Sequence, residues 1–192
     1  RLLKNKSTFI FEVSYLKALL FEGVWDYVYH EHLAYHSIKP LNIFLRKFDL
    51  YIVDIKFIPV KGGSIRCYAI KSSKKLNDSK VLKDVIKFEN KSGIYNKINF
   101  SNLENVKNKL KKKLNNFLKL NNGDLLASYG ASATTTVLSQ ELDYASKISF
   151  IIDDNKNRQN TLSPGYLIPV LGFNSIQKYN PKYIIISAWR FK

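Results

Sequence analysis

The chain has 192 residues, 45% of them hydrophobic and 14% aromatic, enough to bury a core and too apolar for a disordered tail. It carries 31 basic against 15 acidic residues, a formal charge of +16 that taken alone points to nucleic acid or another anionic surface. No apolar run approaches the roughly 18 residues of a membrane-spanning helix. The lone cysteine, Cys67, excludes an internal disulfide framework and an all-cysteine zinc site, and fits a reducing, cytoplasmic setting.

The charge itself is weak guidance. Lysines outnumber arginines 26 to 5, and arginine is the side chain suited to base edges and phosphate forks. The chain also begins at Arg1 and contains no methionine, so it is expected to be a piece of a longer polypeptide.

Residues 8–13, Thr-Phe-Ile-Phe-Glu-Val, form a short continuous apolar run, which predicts a buried strand of a parallel sheet. An irregular aromatic stretch follows over 25–36. Ser37 then predicts a helix cap, with the helix running to about Lys47, Pro40 in its first turn, and Leu41, Phe44, Leu45 and Phe48 on one face. Residues 50–58 alternate as a strand with Tyr51, Val53, Ile55 and Phe57 on one side. Across Gly62-Gly63 a second strand, Ser64 to Ile70, predicts an antiparallel pair.

Residues 71–122 carry fourteen lysines against Asp78, Asp84, Glu89 and Glu104. Two helices are expected there. The first spans about 78–90, and the second opens at a capping box, Ser101-Asn102-Leu103-Glu104, and stops at Asn121-Asn122-Gly123. Lys111-Lys112-Lys113 points three ways around that helix, and aromatic interleaving is sparse. The lysines therefore read as solvated faces, and no nucleic-acid partner is expected. From Asp124 the order is strand (125–129), small-residue turn (130–133), helix (134–143) and strand (148–152). Short strands at 167–171 and 183–187 complete a predicted parallel α/β sheet.

All three histidines, His30, His32 and His36, fall in one seven-residue window with Tyr29, Glu31 and Tyr35. Three readings fit. A histidine in a cleft serves as general base, with a carboxylate to orient it and a tyrosine to meet a developing oxyanion. His30-x-His32 with His36 and Glu31 could ligate a metal. Or the rings are satisfied by backbone groups in an aromatic loop. The turn Gly130-Ala131-Ser132-Ala133 stands at a strand end before a helix, where free N–H groups bind phosphate, although a plain tight turn needs the same small residues. Asp153 ends the next strand, where a nucleotide-binding fold places a ribose-binding acid. Ser64 and Arg66 follow the Gly-Gly turn, where they either complete turn chemistry or face an anionic or polyhydroxylated ligand.

Taken together the segments resemble the SAM-dependent sugar C-methyltransferases that act on nucleotide-linked keto-deoxysugars. The carriers are Phe11-Glu12-Val13-x-Tyr15-Leu16, Tyr29-His30-Glu31-His32-Leu33-x-Tyr35 and Gly62-Gly63-Ser64-Ile65-Arg66. Tyr129-Gly130-Ala131-Ser132-Ala133, Asp153, Pro164-Gly165-x-x-Ile168-Pro169 and Ala188-Trp189 continue the match in order. Thr134-Thr135 replaces the family's Lys-Gly after the small-residue turn, and Arg190 replaces its Asn after the Trp.

The resemblance implies an α/β architecture in three parts. Residues 1–72 would be the last strands of a Rossmann-like SAM domain, including its antiparallel strand, 73–122 a lysine-rich helical connector, and 123–192 a Rossmann-like C-terminal domain with a parallel sheet. It implies methylation of a carbon alpha to a ketone through an enolate, with His32 as base and Tyr29 and Glu31 in support. Tyr35, Ser64, Arg66, Gly130, Ala131, Ser132 and Asp153 would contact a nucleotide-sugar substrate. S-adenosylmethionine is the implied cofactor, held mostly by an upstream segment, and no metal, nucleic-acid or membrane partner is implied.

Overall fold

The computed structural model describes residues 2–189. Arg1 and residues 190–192, which the sequence reading assigns to its first and last domains, lie outside them. The chain divides into two compact units, one formed by residues up to Trp25 with His32–Leu103, the other by Asp26–Glu31 with the residues from Glu104 onward. The division falls within the histidine segment and again within a long helix.

The first unit holds β1 (Thr8–Ser14), α1 (Leu16–Phe21), α2 (Ile38–Arg46), β2 (Leu50–Ile58), β3 (Ser64–Lys71) and α3 (Lys80–Ser92). Its sheet runs β1-β3-β2, with β3 antiparallel to both neighbours. The expected hairpin of β2 and β3 is present. The expectation that 8–13 is a buried strand in a parallel sheet is corrected: β1 is an edge strand, antiparallel to β3, with Phe9 and Ile10 exposed. An apolar run alone does not distinguish a buried strand from an edge strand. Phe9 and Phe11, two residues apart on one face, stack their rings 5.2 Å apart instead.

The predicted alternation of β2 also breaks. A bulge at Val53, between the Ile52↔Ala69 and Asp54↔Tyr68 pairs, shifts the pattern, so that Ile52 and Ile55 are buried and Phe57 is exposed. In α2 the core stripe is Ile38, Leu41 and Leu45, while Phe44 and Phe48 face outward and pack edge to face at 5.2 Å. Ser37 holds the N-cap position, but its side chain does not cap the helix.

α4 (Lys97–Leu120) begins a turn before the predicted capping box, which leaves Ser101 inside the helix. It ends as predicted, with Asn121 Nδ2 donating to the Phe117 carbonyl. The second unit continues with β4 (Leu126–Tyr129), α5 (Ala133–Glu141), β5 (Phe150–Ile152), β6 (Thr161–Leu162), β7 (Pro169–Leu171), α6 (Ser175–Tyr179) and β8 (Tyr183–Ile186). The sheet order is β6-β7-β5-β4-β8. β7, β5, β4 and β8 are parallel, and β6 is antiparallel at one edge. This is the expected α/β class with a parallel sheet. On one face Ala127, Phe150 and Ile152 pack with Tyr129, Leu171, Ile176 and Ile184. Ser128 and Ile151, one residue out of phase on the same strands, point to the other face, toward α5. No helix among the described residues is long and apolar enough to cross a membrane.

Candidate functional site

In the first unit His32 is half-buried, and its Nδ1 lies 3.4 Å from Ser14 Oγ at the end of β1. Its ring centre is 6.4 Å from that of Tyr35. The segment is stitched back to the strand end just beyond: the His36 N–H donates to the Ser14 carbonyl at 3.1 Å, and the Leu16 N–H donates to the His36 carbonyl at 2.8 Å. His36 thus forms a short parallel bridge with Tyr15. The segment that carries His32 is therefore fastened at His36 to the end of β1, and His32 itself lies beside Ser14.

Ser64 opens β3, is buried, and donates through its hydroxyl to the Val60 carbonyl at 3.4 Å. It borders a cavity of about 340 Å³ shared with Tyr15, Lys17, Phe57, Gly63 and Phe88. Arg66 faces its register partner on β1, Glu12, and donates from Nε at 3.0 Å and Nη2 at 2.8 Å to one carboxylate oxygen. Hydrogen bonding to Glu12, then to Tyr68, raises the guanidinium pKa further. Its preferred partner is thus internal to the sheet.

In the second unit the Tyr29 hydroxyl donates to Glu31 Oε2 at 3.3 Å, and the Tyr29 ring meets the edge of His30 at 5.7 Å. Glu31 and His30 are exposed. The segment is tied down at its start, where Trp189 Nε1 donates to the buried Asp26 carboxylate at 3.1 Å.

The turn after β4 has Ser132 as the N-cap of α5, its hydroxyl accepting from the Thr135 N–H at 3.3 Å. Gly130 sits at φ +98°, and a Cβ there would lie 2.5 Å from the Ala188 Cβ, so only glycine fits. Asp153 reaches back from the end of β5. Its Oδ2 accepts from the Ala131 N–H at 2.7 Å and from Arg158 Nη1 at 3.3 Å, and its Oδ1 accepts from the Asn155 N–H at 2.8 Å. Burial would raise its pKa. The two backbone donors and the Arg158 charge outweigh that and hold it below the usual carboxylate range.

Beside this turn, between α5 and the sheet, is a cavity of about 240 Å³ bordered by Ser128, Ser132, Thr135, Ser139, Tyr144 and Arg158, among others. Its floor is a buried hydroxyl relay. Ser187 Oγ lies 2.7 Å from both Ser128 Oγ and the Tyr144 hydroxyl. Sequence reading passed over the relay, because Ser128 and Ser187 are two single serines in apolar strand ends, far apart in the chain and adjacent only across the β4–β8 pair. Arg158 was missed for the same reason, since only the fold brings it to Asp153.

Thus Tyr29 pairs with Glu31, His32 with Ser14 and Tyr35, and Ala131 with Asp153, while Arg66 is taken by Glu12. Among the described residues no group of three or more histidine, cysteine, aspartate or glutamate side chains is arranged to hold a metal.

Comparison with known proteins agrees with this framework. The family model described as the C-methyltransferase C-terminal domain matches residues 59–192. A curated relative, C-methyltransferase NovU of Streptomyces niveus, is 24% identical over 193 residues, which cover 99% of this chain and 46% of the relative. The chain therefore spans less than half the length of that relative. The family match takes in the Gly-Gly turn, the small-residue turn, Asp153 and Trp189, and with them most of the chain. The chain belongs to the C-methyltransferase C-terminal domain family.

Proposed function

We propose that this chain is the C-terminal part of a SAM-dependent C-methyltransferase that methylates a carbon alpha to the ketone of a nucleotide-linked keto-deoxysugar. The observation that carries this reading is the placement of His32, half-buried and beside Ser14 at a strand end, within Tyr29-His30-Glu31-His32. The family match and the C-methyltransferase relative support the reaction class. His32 removes the acidic proton at the carbon alpha to the ketone, acting as a positioned general base. Tyr29 and Glu31, already hydrogen-bonded to each other, position the sugar or the enolate oxygen. Tyr35, Ser64, Arg66 and the Gly130-Ala131-Ser132 turn with Asp153 supply substrate contacts, the turn through the Ser132 side that borders the cavity, since Asp153 already holds the Ala131 N–H. The enolate carbon then attacks the methyl of the sulfonium co-substrate: the carbon–carbon bond forms as the carbon–sulfur bond breaks, its electron pair staying on sulfur, which leaves as a neutral thioether.

S-adenosylmethionine enters as the second substrate, supplying an electrophilic methyl from a sulfonium. Gly63 answers an internal constraint of the first unit, since a Cβ there would lie 2.7 Å from the Ala18 Cβ.

The test uses the longer enzyme that carries this chain. His32→Ala is expected to abolish methyl transfer and to leave SAM affinity unchanged by calorimetry; retained turnover removes His32 from the role of base. The high positive charge is read as solvated helix faces. Accordingly no electrophoretic shift of single- or double-stranded nucleic acid is expected at about 50 mM salt, and a salt-sensitive shift would favour a nucleic-acid-binding module instead.

A further inference from the structure

The first turn of α2, immediately after the histidine segment, has free N–H groups that need acceptors. Ser37 stands in the N-cap position and does not provide one. The acceptor comes from α3. Glu89 Oε1 accepts from the Ile38 N–H at 2.7 Å, and Oε2 accepts from the Lys39 N–H at 3.2 Å and from the Tyr95 hydroxyl at 2.5 Å. Glu89 is fully buried, on the same stripe of α3 as Leu82 and Val85. A carboxylate in a core is costly unless its oxygens are satisfied, and a local serine cap would avoid that cost.

Tyr15, the bridge partner of His36, is 5% exposed, and its phenol lies close enough to Glu89 to be affected by it. Burial first, then the Glu89 charge, push the Tyr15 phenol far above its ordinary pKa. Glu89 thus caps the α2 first turn, directly after the segment that carries His32 and the Tyr15–His36 bridge.

We infer that Glu89 is a positioning residue for the reaction proposed above, fixing through the α2 first turn where His32 sits. The inference rests on His32 being the base, but its first test does not need turnover. The chain has three histidines, so their ring signals are separable by NMR at fixed pH. In Glu89→Gln one N–H acceptor is lost while the shape is kept. The His32 and His36 signals are expected to move and the His30 signal to stay, in a protein with unchanged far-UV circular dichroism. Glu89→Ala should move the same pair further.

If Glu89→Gln is folded and all three signals stay in place, Glu89 is only a stabilising cap and the inference fails. Should Glu89→Gln not fold, Tyr95→Phe removes a single hydrogen bond from Oε2. It must then shift His32 and His36 by a smaller amount, and unchanged signals overturn the proposal. In the longer enzyme, Glu89→Gln is expected to lower kcat on the order of 100-fold with the KM for SAM preserved. An unchanged kcat contradicts positioning. Absence of methyl transfer in the unaltered enzyme instead removes the proposed function and leaves the NMR result to decide the role of Glu89.

Discussion

Asp153 Oδ2 accepts a 2.7 Å hydrogen bond from the Ala131 N–H, so an acid at the end of β5 closes the turn at the end of β4. A turn of small residues before a helix offers its N–H groups to an anion. Here the chain's own carboxylate fills that place and is in turn held by Arg158 and by the Asn155 N–H. A phosphate approaching Ala131 would have to displace an anion already bound there. A ligand in the adjacent cavity is spared that competition and meets the hydroxyls of Ser132 and Thr135.

The same bond gives the second unit an acid-sensitive element. Because the folded state depresses the Asp153 pKa, its contribution is complete above the unfolded-state value of about 4 and fades as pH falls through the lower folded value. Asp153→Asn is expected to destabilise by about 1–3 kcal/mol near neutral pH. The difference from the unaltered protein should shrink in acid, as read from thermal melts across pH. An offset that stays constant with pH would contradict the linkage.

The hydroxyl relay predicts an order among substitutions. Ser187→Ala leaves the buried Tyr144 hydroxyl and Ser128 without their shared partner, and is expected to cost about 1–3 kcal/mol. Tyr144→Phe removes the phenolic oxygen itself while Ser187 keeps Ser128, and should cost less. Urea melts of the two variants compare them directly; equal losses would show that the relay is not a coupled unit.

Glycine positions in the first unit separate steric from conformational cost. Gly63 at φ +123° would place a Cβ 2.7 Å from the Ala18 Cβ, whereas Gly23 at φ +69° has nothing within 4 Å. Gly63→Ala should therefore cost more than about 1 kcal/mol of backbone strain alone, since Ala18 must also move. Gly23→Asn, which tolerates the left-handed region, should be close to neutral. Chemical denaturation midpoints measure both.

Cys67 is fully buried, and burial, then the nearby Glu89 charge, push its thiol up to about 12. The native thiol is expected to resist labelling by iodoacetamide at pH 8 and to react only as the first unit opens. Rapid labelling without denaturant would place Cys67 at an accessible surface.

The α/β class and the order of the longer elements were legible in the sequence, because hydrophobic periodicity is a local signal, whereas the short α1, β6 and α6 were not. The bulge at Val53 and the outward turn of Phe44 and Phe48 were not, since they depend on which neighbours each face meets. The edge position of β1 was hidden for the same reason. Within the candidate site the histidine cluster stood out by composition, and Asp153 by its place after a strand. Glu89 did leave a trace: it occupies a core position at helical spacing after Leu82 and Val85, where an apolar residue would be expected. A charge on an apolar stripe is legible as an anomaly, but its partners, Ile38 and Lys39, are known only once α2 and α3 are packed together.

Gly130 and Ala188 lie so close that Gly130 cannot gain a Cβ while Ala188 stays as it is. The two positions thus behave as a single inherited character. Drift at one is silent only if the other has already changed, and Gly130 is further fixed by its backbone angle. Across descendants of this chain, that corner of the sheet should be among the slowest to diversify.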